Sequence, residues 1–187
     1  MGMEKKEQLK DIQLNLGHTP LGTLALRPWQ EGDESALVEH GNNYQIWQNV
    51  RDRFPHPYTL QDARLWVQVA DKDPSSLNLA ITLNDEAIGA TGVIFKDDVY
   101  HRSAEIGYWL GEAYWNRGVV SHAVKALTDY VLTNTDICRI YAGVFEYNIA
   151  SARVLEKAGY DFVARLRKSV TKESRTVDEL IYARVIE

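Results

Sequence analysis

A chain of 187 residues, 45% hydrophobic and 25% charged, is long enough to fold as one domain around a sizeable core. Its 26 acidic residues outnumber its 21 basic ones, which argues against nucleic acid as the main ligand, because phosphate contacts dominate such binding. One cysteine excludes a disulfide framework and a thiolate zinc cluster, and the lack of a membrane-length apolar run or a signal-peptide pattern predicts a cytoplasmic protein.

The first 73 residues predict a hairpin followed by helices. Residues 12–16 and 21–27 alternate between apolar and polar side chains as strands do, and residues 17–20 between them are typical of a turn. Asp33 is a candidate N-cap of a helix that reaches about His40, and Thr59 caps another that ends before Asp73-Pro74.

Two segments here are less regular. Residues 42–53 predict a shorter helix or turn, and residues 54–58 are expected to be extended because each proline disfavours helix in the residue before it. We expect residues 1–20 to form an N-terminal extension, mobile over residues 1–11, and residues 21–187 to form the folded domain.

The second half alternates strands and helices. Asn84-Asp85 predicts a tight hairpin turn, and residues 118–133 carry apolar side chains at helical spacing. The remaining predicted elements are strands 77–83, 86–95, 103–110, 139–145, 161–168 and 176–185 and a helix at 151–158. A strand meander followed by β-α-β-α-β predicts an α+β fold, with a mixed, mostly antiparallel central sheet flanked by helices.

Two motifs indicate a ligand. Trp115-Asn-Arg-Gly-Val-Val120 places a glycine at a helix start, where unpaired N–H groups and a partial positive charge accept phosphate. Taken alone, Gly118 is equally well explained as a helix-start glycine. Asn148 to Tyr160 opens with a capping Asn, continues through an amphipathic helix and stops at Gly159, which is also a sufficient structural explanation by itself.

Together with Glu105-Ile-Gly-Tyr-Trp-Leu110, and in this order, the motifs resemble the GCN5-related N-acetyltransferase (GNAT) superfamily, most closely its RimJ/RimL-like branch, which acetylates ribosomal-protein N-termini. The resemblance spans roughly residues 21–185 and implies the acyl-CoA N-acyltransferase fold with acetyl-CoA as co-substrate. The implied cofactor-binding residues are Tyr108, Trp109, Leu110, Arg117, Gly118, Val119, Val120, Ser121, Asn148 and Ser151. Val120 and His122 depart from the family pattern, and Val120 is expected to crowd the diphosphate. Arg165, Arg167 and Lys168 are candidates either for the adenosine 3′-phosphate or for a solvated strand face.

The resemblance also implies catalytic roles. Glu105 is the candidate base, directly or through a water, and Ser151 the candidate proton donor to the leaving thiolate, with Tyr147 as its alternative. A backbone N–H near Tyr108 or Trp109, in a bulged strand, is the expected oxyanion donor. The alternative interpretation of Glu105 is a solvent-facing strand residue without a catalytic role.

These residues do not determine which amine accepts the acetyl group. Substrate-binding residues are expected between positions 42 and 58: Trp47, Phe54, His56 and Tyr58. The partner is an amine, either a protein N-terminus or a small molecule such as a drug or polyamine; a small cation would need acidic cleft walls such as Asp97, Asp98 or Glu112. A non-catalytic acyl-CoA-binding protein is the alternative of another class. We expect no metal, nucleic acid or membrane partner, and a monomer or homodimer.

Overall fold

In the computed structural model, which describes Leu9 and residues 12–187, the chain forms one eight-stranded sheet with helices on both faces. The strands are β1 (Leu14–Thr19), β2 (Gly22–Pro28), β3 (Ser76–Leu83), β4 (Glu86–Phe95), β5 (Ser103–Leu110), β6 (Arg139–Phe145), β7 (Asp161–Lys172) and β8 (Arg175–Val185). The helices are α1 (Glu34–Gly41), α2 (Tyr44–Trp47), α3 (Leu60–Val69), α4 (Val119–Asn134) and α5 (Ile149–Lys157), with 3₁₀ turns at Asp98–Tyr100 and Glu112–Tyr114. None of these helices is long and apolar enough to cross a membrane.

The sheet is mixed, in the order β1-β2-β3-β4-β5-β6-β8-β7. Every neighbouring pair is antiparallel except β5 and β6, which run parallel. The predicted α+β fold with a mostly antiparallel sheet is therefore confirmed, and β1 joins the same sheet as its edge strand.

Each face of the sheet has its own core. Helices α4 and α5 cover one face, where the main core includes the fully buried Leu127 and Leu155 and reaches Leu9. Helices α1 and α3 cover the other, where a smaller cluster of Leu37, Ala63 and Tyr58 includes the half-buried Trp109. The two faces of β5 consequently point into two different environments. The expected mobility of residues 1–11 falls, apart from Leu9, outside the described residues.

Local signals explain most element boundaries. Asn84 and Asp85 both take positive φ, 50° and 70°, as a tight β3–β4 hairpin turn requires. The Thr59 side chain and the Asp62 carboxylate form a reciprocal capping box that starts α3. Gly118 has φ 77° at the start of α4, and Gly159 has φ 86° just after α5.

One local prediction was wrong and two were confirmed only in part. The turn predicted at residues 17–20 is strand as far as Thr19, because a β-bulge accommodates Gly17. The chain reverses at Pro20 and Leu21 instead. Of the short helix or turn predicted over residues 42–53, Tyr44–Trp47 is helical and most of the rest is turn or bend. Asp33 precedes α1 but makes no side-chain cap, because its carboxylate takes two bonds, at 2.8 and 2.9 Å, from the buried Arg27.

Candidate active site

The sheet opens between β5 and β6. The two strands pair at only three positions, Ser103 to Glu105 against Arg139 to Tyr141, and no pairing continues beyond them. The Ser103 carbonyl accepts from β4, whereas the Arg102 carbonyl accepts from the β6 side. Because backbone groups alternate between neighbours along a strand and the last pairing, at Glu105, occupies the Ile106 N–H, the Tyr108 N–H is the first that points into the opening without a strand partner.

This alternation decides between the two expected oxyanion donors, the N–H groups of Tyr108 and Trp109. The Tyr108 N–H faces the opening, while that of Trp109 faces β4. The bulge expected in this strand is absent from the β4–β5 ladder, whose register runs without a shift from Ala104 to Leu110. The unpaired N–H therefore arises from the divergence of β6 and not from an extra residue in β5.

Glu105 lies beside the opening, on the sheet face shared with Trp109. Its side chain is only 14% exposed, and each carboxylate oxygen has a cation: Arg51 at one, and the Lys96 ammonium at 2.8 Å from the other. Burial alone would lower the pKa of Lys96, but its bond and attraction to Glu105, helped by Tyr141, raise it above its ordinary value of 10.5. The surroundings are those of an ion-paired carboxylate and not those of a solvated strand residue.

A second carboxylate on this face, Glu179 of β8, was missed by sequence reasoning. Its side chain crosses Gly143 of β6, where an added Cβ would overlap the carboxylate. Burial raises the pKa of Glu179 above its ordinary value of 4.5; Arg51 opposes this shift and Glu105 adds to it. Glu179, Arg51 and Glu105 thus form one electrostatic group. Only the non-local register of β6 with β8 brings Glu179 here, so no short motif signals it.

Gly107 leaves this face of the opening free of bulk, whereas the Glu179 side chain covers Gly143. A Cβ added at Gly107 would meet nothing within 4 Å. Both residues lie on the carboxylate face, since their neighbours Ile106, Ala142 and Val144 point into the main core. A ligand can therefore approach the backbone closely between Glu105 and Glu179.

Two hydroxyls meet on the opposite face. The Tyr108 hydroxyl lies 2.8 Å from Ser151 Oγ and donates to the Ser151 carbonyl at 3.1 Å. Burial raises the pKa of Tyr108, so its hydroxyl stays protonated. Asn148 Oδ1 accepts from the Ser151 N–H at 3.1 Å and starts α5, which leaves the Asn148 amide N–H groups for a ligand. The alternative proton donor, Tyr147, gives its hydroxyl proton to the Gln48 carbonyl at 2.8 Å.

The turn before α4 has the geometry of an anion site. Gly118 and Arg117 are exposed there, and the first N–H groups of a 16-residue helix follow. Val120, expected to crowd a diphosphate, is half-buried against the main core. Its side chain is thus directed toward the core, so the N–H groups of the turn remain accessible.

The structure exposes some of the predicted substrate residues and buries others. Trp47 and the exposed His56 stack with ring centroids 5.4 Å apart. Phe54 is half-buried and packs edge-on against Trp109 at 5.6 Å. Tyr58 is only 5% exposed, and burial raises its pKa to about 12, so it supports the cleft from beneath instead of contacting a ligand.

The β7–β8 hairpin tip packs against the α2 segment. The Lys172 ammonium lies 3.7 Å from the centroid of the Trp47 ring and 2.6 Å from an Asp52 oxygen. The Tyr44 hydroxyl donates to Glu173 at 2.8 Å. These contacts place the tip beside the segment that carries Arg51.

Three charged residues with predicted ligand roles are bonded to other groups of the protein. Arg165, a candidate for the 3′-phosphate, is paired with Asp178 and Glu146. The Lys168 ammonium donates to the Thr176 carbonyl at 3.2 Å. Glu112, a candidate acidic wall, accepts from the Asn43 amide at 2.6 Å.

Residues 23–161 match the profile of a family described as the acetyltransferase (GNAT) domain. The uncharacterized N-acetyltransferase p20 of Bacillus licheniformis is 27% identical over 168 residues, which cover 86% of this chain and 91% of p20. The ribosomal-protein-serine acetyltransferase of Escherichia coli (strain K12) is 23% identical over 143 residues, 68% of this chain and 80% of that protein. Among solved structures, Mycobacterium smegmatis RimJ in complex with CoA-disulfide superimposes with a TM-score of 0.83 at 19% identity, over 94% of this chain and 88% of RimJ. The last likeness is one of fold.

Proposed function

The chain belongs to the GNAT acetyltransferase family and is an acetyl-CoA-dependent N-acetyltransferase acting on an amine, and from that premise we propose that its acceptor is the N-terminal α-amine of a polypeptide. Direct attack on the thioester requires a neutral amine and a group that takes its proton. The identity of the acceptor then depends on which form of the amine, neutral or charged, the site accepts.

The single observation that carries the proposal is the double ion pair of Glu105. With a cation at each oxygen, Glu105 has no oxygen free to pair with the charged ammonium form of an amine. An α-amine, with an ordinary pKa of about 7.7–8.0, is substantially neutral near pH 7.5, whereas an alkylamine with a pKa of about 10.4 is almost wholly protonated. A site whose Glu105 carboxylate is occupied in this way suits the amine that is already partly neutral, the α-amine.

Charge and shape support the same acceptor. Arg51 and Lys96 at the opening are paired with Glu105, so this carboxylate offers no anchor for the several positive charges of a polyamine. The open space over Gly107 gives room for the backbone of a peptide to approach. The similarity to the ribosomal-protein-serine acetyltransferase and to RimJ supports a polypeptide acceptor, and ribosomal proteins would place the enzyme in the cytoplasm.

In the proposed mechanism, the thioester lies in the opening between β5 and β6. Glu105 and Glu179 receive the amine proton on one face, directly or through a water. The Tyr108 N–H stabilises the oxyanion, as the alternation of backbone groups supports. On the other face, the Ser151–Tyr108 hydroxyl pair supplies a proton to the leaving thiolate, and Asn148 with the first turn of α4 holds the pantetheine arm and diphosphate.

The test is a panel of acceptors assayed with acetyl-CoA by release of the CoA thiol and by mass spectrometry. One peptide with N-terminal Ser or Ala and an internal Lys is compared with its N-formylated form, with spermidine and with a free amino acid. We expect acetylation of the α-amine of the free peptide alone. Turnover confined to spermidine, to the Lys side chain or to the free amino acid would refute a polypeptide N-terminus as the acceptor.

A further inference from the structure

A second cluster of chemically active side chains lies away from the opening, where α1 meets the start of β4. Glu39, His40 and Glu86 each direct one ligand atom to a common point, and these atoms all lie within 4.8 Å of one another. We propose that these three residues form a binding site for a divalent first-row transition-metal ion, for which Zn²⁺ is the probe. Sequence analysis predicted no metal, because Glu86 is far from the other two in the chain.

The imidazole of His40 is the observation that points to a ligand. Its side chain is 9% exposed, and the buried Nε2 has no hydrogen-bond partner among the residues that the structure describes. The nearest carboxylate oxygen, from Glu86, lies 3.8 Å away, which is too far for a hydrogen bond. A buried polar nitrogen without a partner is costly, and a metal ion bound to it removes that cost.

The imidazole is also held in place. A Cβ built on Gly111 would lie 3.1 Å from His40 Cγ, so the ring packs directly on the backbone at that glycine. The Tyr114 ring meets it edge-on, with centroids 5.5 Å apart. A ligand ring that is fixed before the ion arrives loses little freedom on binding.

The surrounding charge favours a cation. Glu39 and Glu86 line an open cavity of about 410 Å³ together with Glu31, and within residues 12–187 none of the three glutamates is paired with Lys or Arg. The other two carboxylates of this cavity, Asp33 and Asp85, are already paired with Arg27.

The chemistry of the ligand set selects the ion. One imidazole nitrogen and two carboxylates suit Zn²⁺ or a neighbouring first-row ion, whereas Mg²⁺ prefers oxygen ligands alone. Zinc bonds of about 2.0–2.2 Å need ligand atoms roughly 3.3–3.5 Å apart. Movement of about 1 Å by the exposed glutamates, of which Glu86 is 59% exposed, closes the present gaps. The open cavity supplies the entry path.

A bound ion would connect elements that the fold otherwise joins only by packing. His40 lies on α1 and Glu86 on β4, and the ring of His40 rests against residues 111–114, which lead to the turn at Gly118. The ion would therefore hold α1 to the sheet and brace the loop before α4. Its main expected effect is on stability, and the acetylation step itself does not require it.

The experiment is isothermal titration of the chelator-treated full chain with Zn²⁺, beside a Mg²⁺ titration at the same concentrations. We expect one Zn²⁺ per chain, no saturable Mg²⁺ binding, and a rise in Tm of about 5–10 °C at one hundred times the Kd for Zn²⁺. The double variant Glu39→Gln/Glu86→Gln keeps the shape and burial of the site. We expect it to bind Zn²⁺ at least about tenfold more weakly and to lose most of the Tm rise.

His18→Gln is the matched control, since it removes an exposed histidine of the β1 edge strand and is expected to bind Zn²⁺ like the wild type. His40→Gln should abolish binding; if it does not fold, the double variant still decides. Absence of saturable Zn²⁺ binding to the wild type would overturn the proposal. Equal Zn²⁺ affinity of the double variant and the wild type would also overturn it, because the ion would then lie elsewhere.

Discussion

Glu105 and Glu179 are two carboxylates of one site with opposite electrostatic surroundings. Glu105 is balanced by Arg51 and Lys96, whereas burial dominates at Glu179 and raises its pKa. A carboxylate with a raised pKa is the stronger base, so of the two proposed proton acceptors Glu179 is the better suited to hold the amine proton, and Glu105 also positions Arg51. Replacing each residue should therefore change the pH dependence of the acetylation rate in a different way.

Replacing the two glutamates separately tests this division at the scale of single residues. A base acts when deprotonated, so kcat/KM should rise with pH through the pKa of Glu179, above 4.5. Glu179→Gln should remove this acid limb and lower kcat by about 10²-fold or more. Glu105→Gln should also lower kcat but move the limb to lower pH, because Glu105 raises the pKa of Glu179 and its loss frees Arg51. The measurement is the pH dependence of peptide acetylation.

Glu31→Gln, an exposed change outside the opening, is the control and should leave the profile unaltered. An acid limb at the same pH in both variants and in the wild type would remove both glutamates from the proton transfer. Retained thermal stabilisation by acetyl-CoA would show that any rate loss is not a loss of cofactor binding.

At the scale of elements, the first turn of α4 decides how the diphosphate is held. Val120 stands where the family pattern has Gly or Ala, yet it is half-buried against the main core. Val120→Ala should therefore leave the Kd for acetyl-CoA within about twofold and lower the free energy of unfolding by about 1 kcal/mol through lost apolar burial. Calorimetric titration and urea unfolding measure the two quantities.

Gly118→Ala is the informative comparison in the same turn. Its φ of 77° strains any residue with a Cβ, although the space around it is open. We expect it to lose about 1–2 kcal/mol of stability and to bind acetyl-CoA more weakly, because relief of the strain moves the N–H groups. If Val120→Ala instead tightened binding about tenfold, the valine would be shown to crowd the diphosphate.

Elements with a local cause were predictable from the sequence, and their spatial partners were not. The Asn84-Asp85 turn, the Thr59 cap and the Asn148 cap each depend on residues within a few positions, and all three formed as predicted. Glu179 reaches the site only through the register of β8 on β6, and Glu86 meets His40 only because α1 packs beside β4. Such contacts between distant residues leave no periodic or motif signal in one sequence.

At the scale of the whole molecule, the opening between β5 and β6 connects the two faces of the sheet. The carboxylates lie on the face covered by α1 and α3, and the Ser151–Tyr108 pair lies on the face covered by α4 and α5. An acetyl-CoA molecule bound as proposed would contact α4, α5 and β5 at once. Its binding should stabilise the fold as a unit, since the unfolded chain offers no such site.

Thermal unfolding with and without acetyl-CoA tests this coupling. At one hundred times its Kd, a ligand adds about 2.7 kcal/mol to the free energy of unfolding, which corresponds to a rise in Tm of roughly 5–10 °C for a chain of this size. ATP and NAD, which lack the pantetheine arm that Asn148 and Ser151 are proposed to hold, should raise the Tm by much less. An equal rise with ATP would mean that only the helix N-terminus binds, as a general phosphate site, and that the opening contributes nothing. No rise at millimolar acetyl-CoA would contradict the placement of the thioester between β5 and β6.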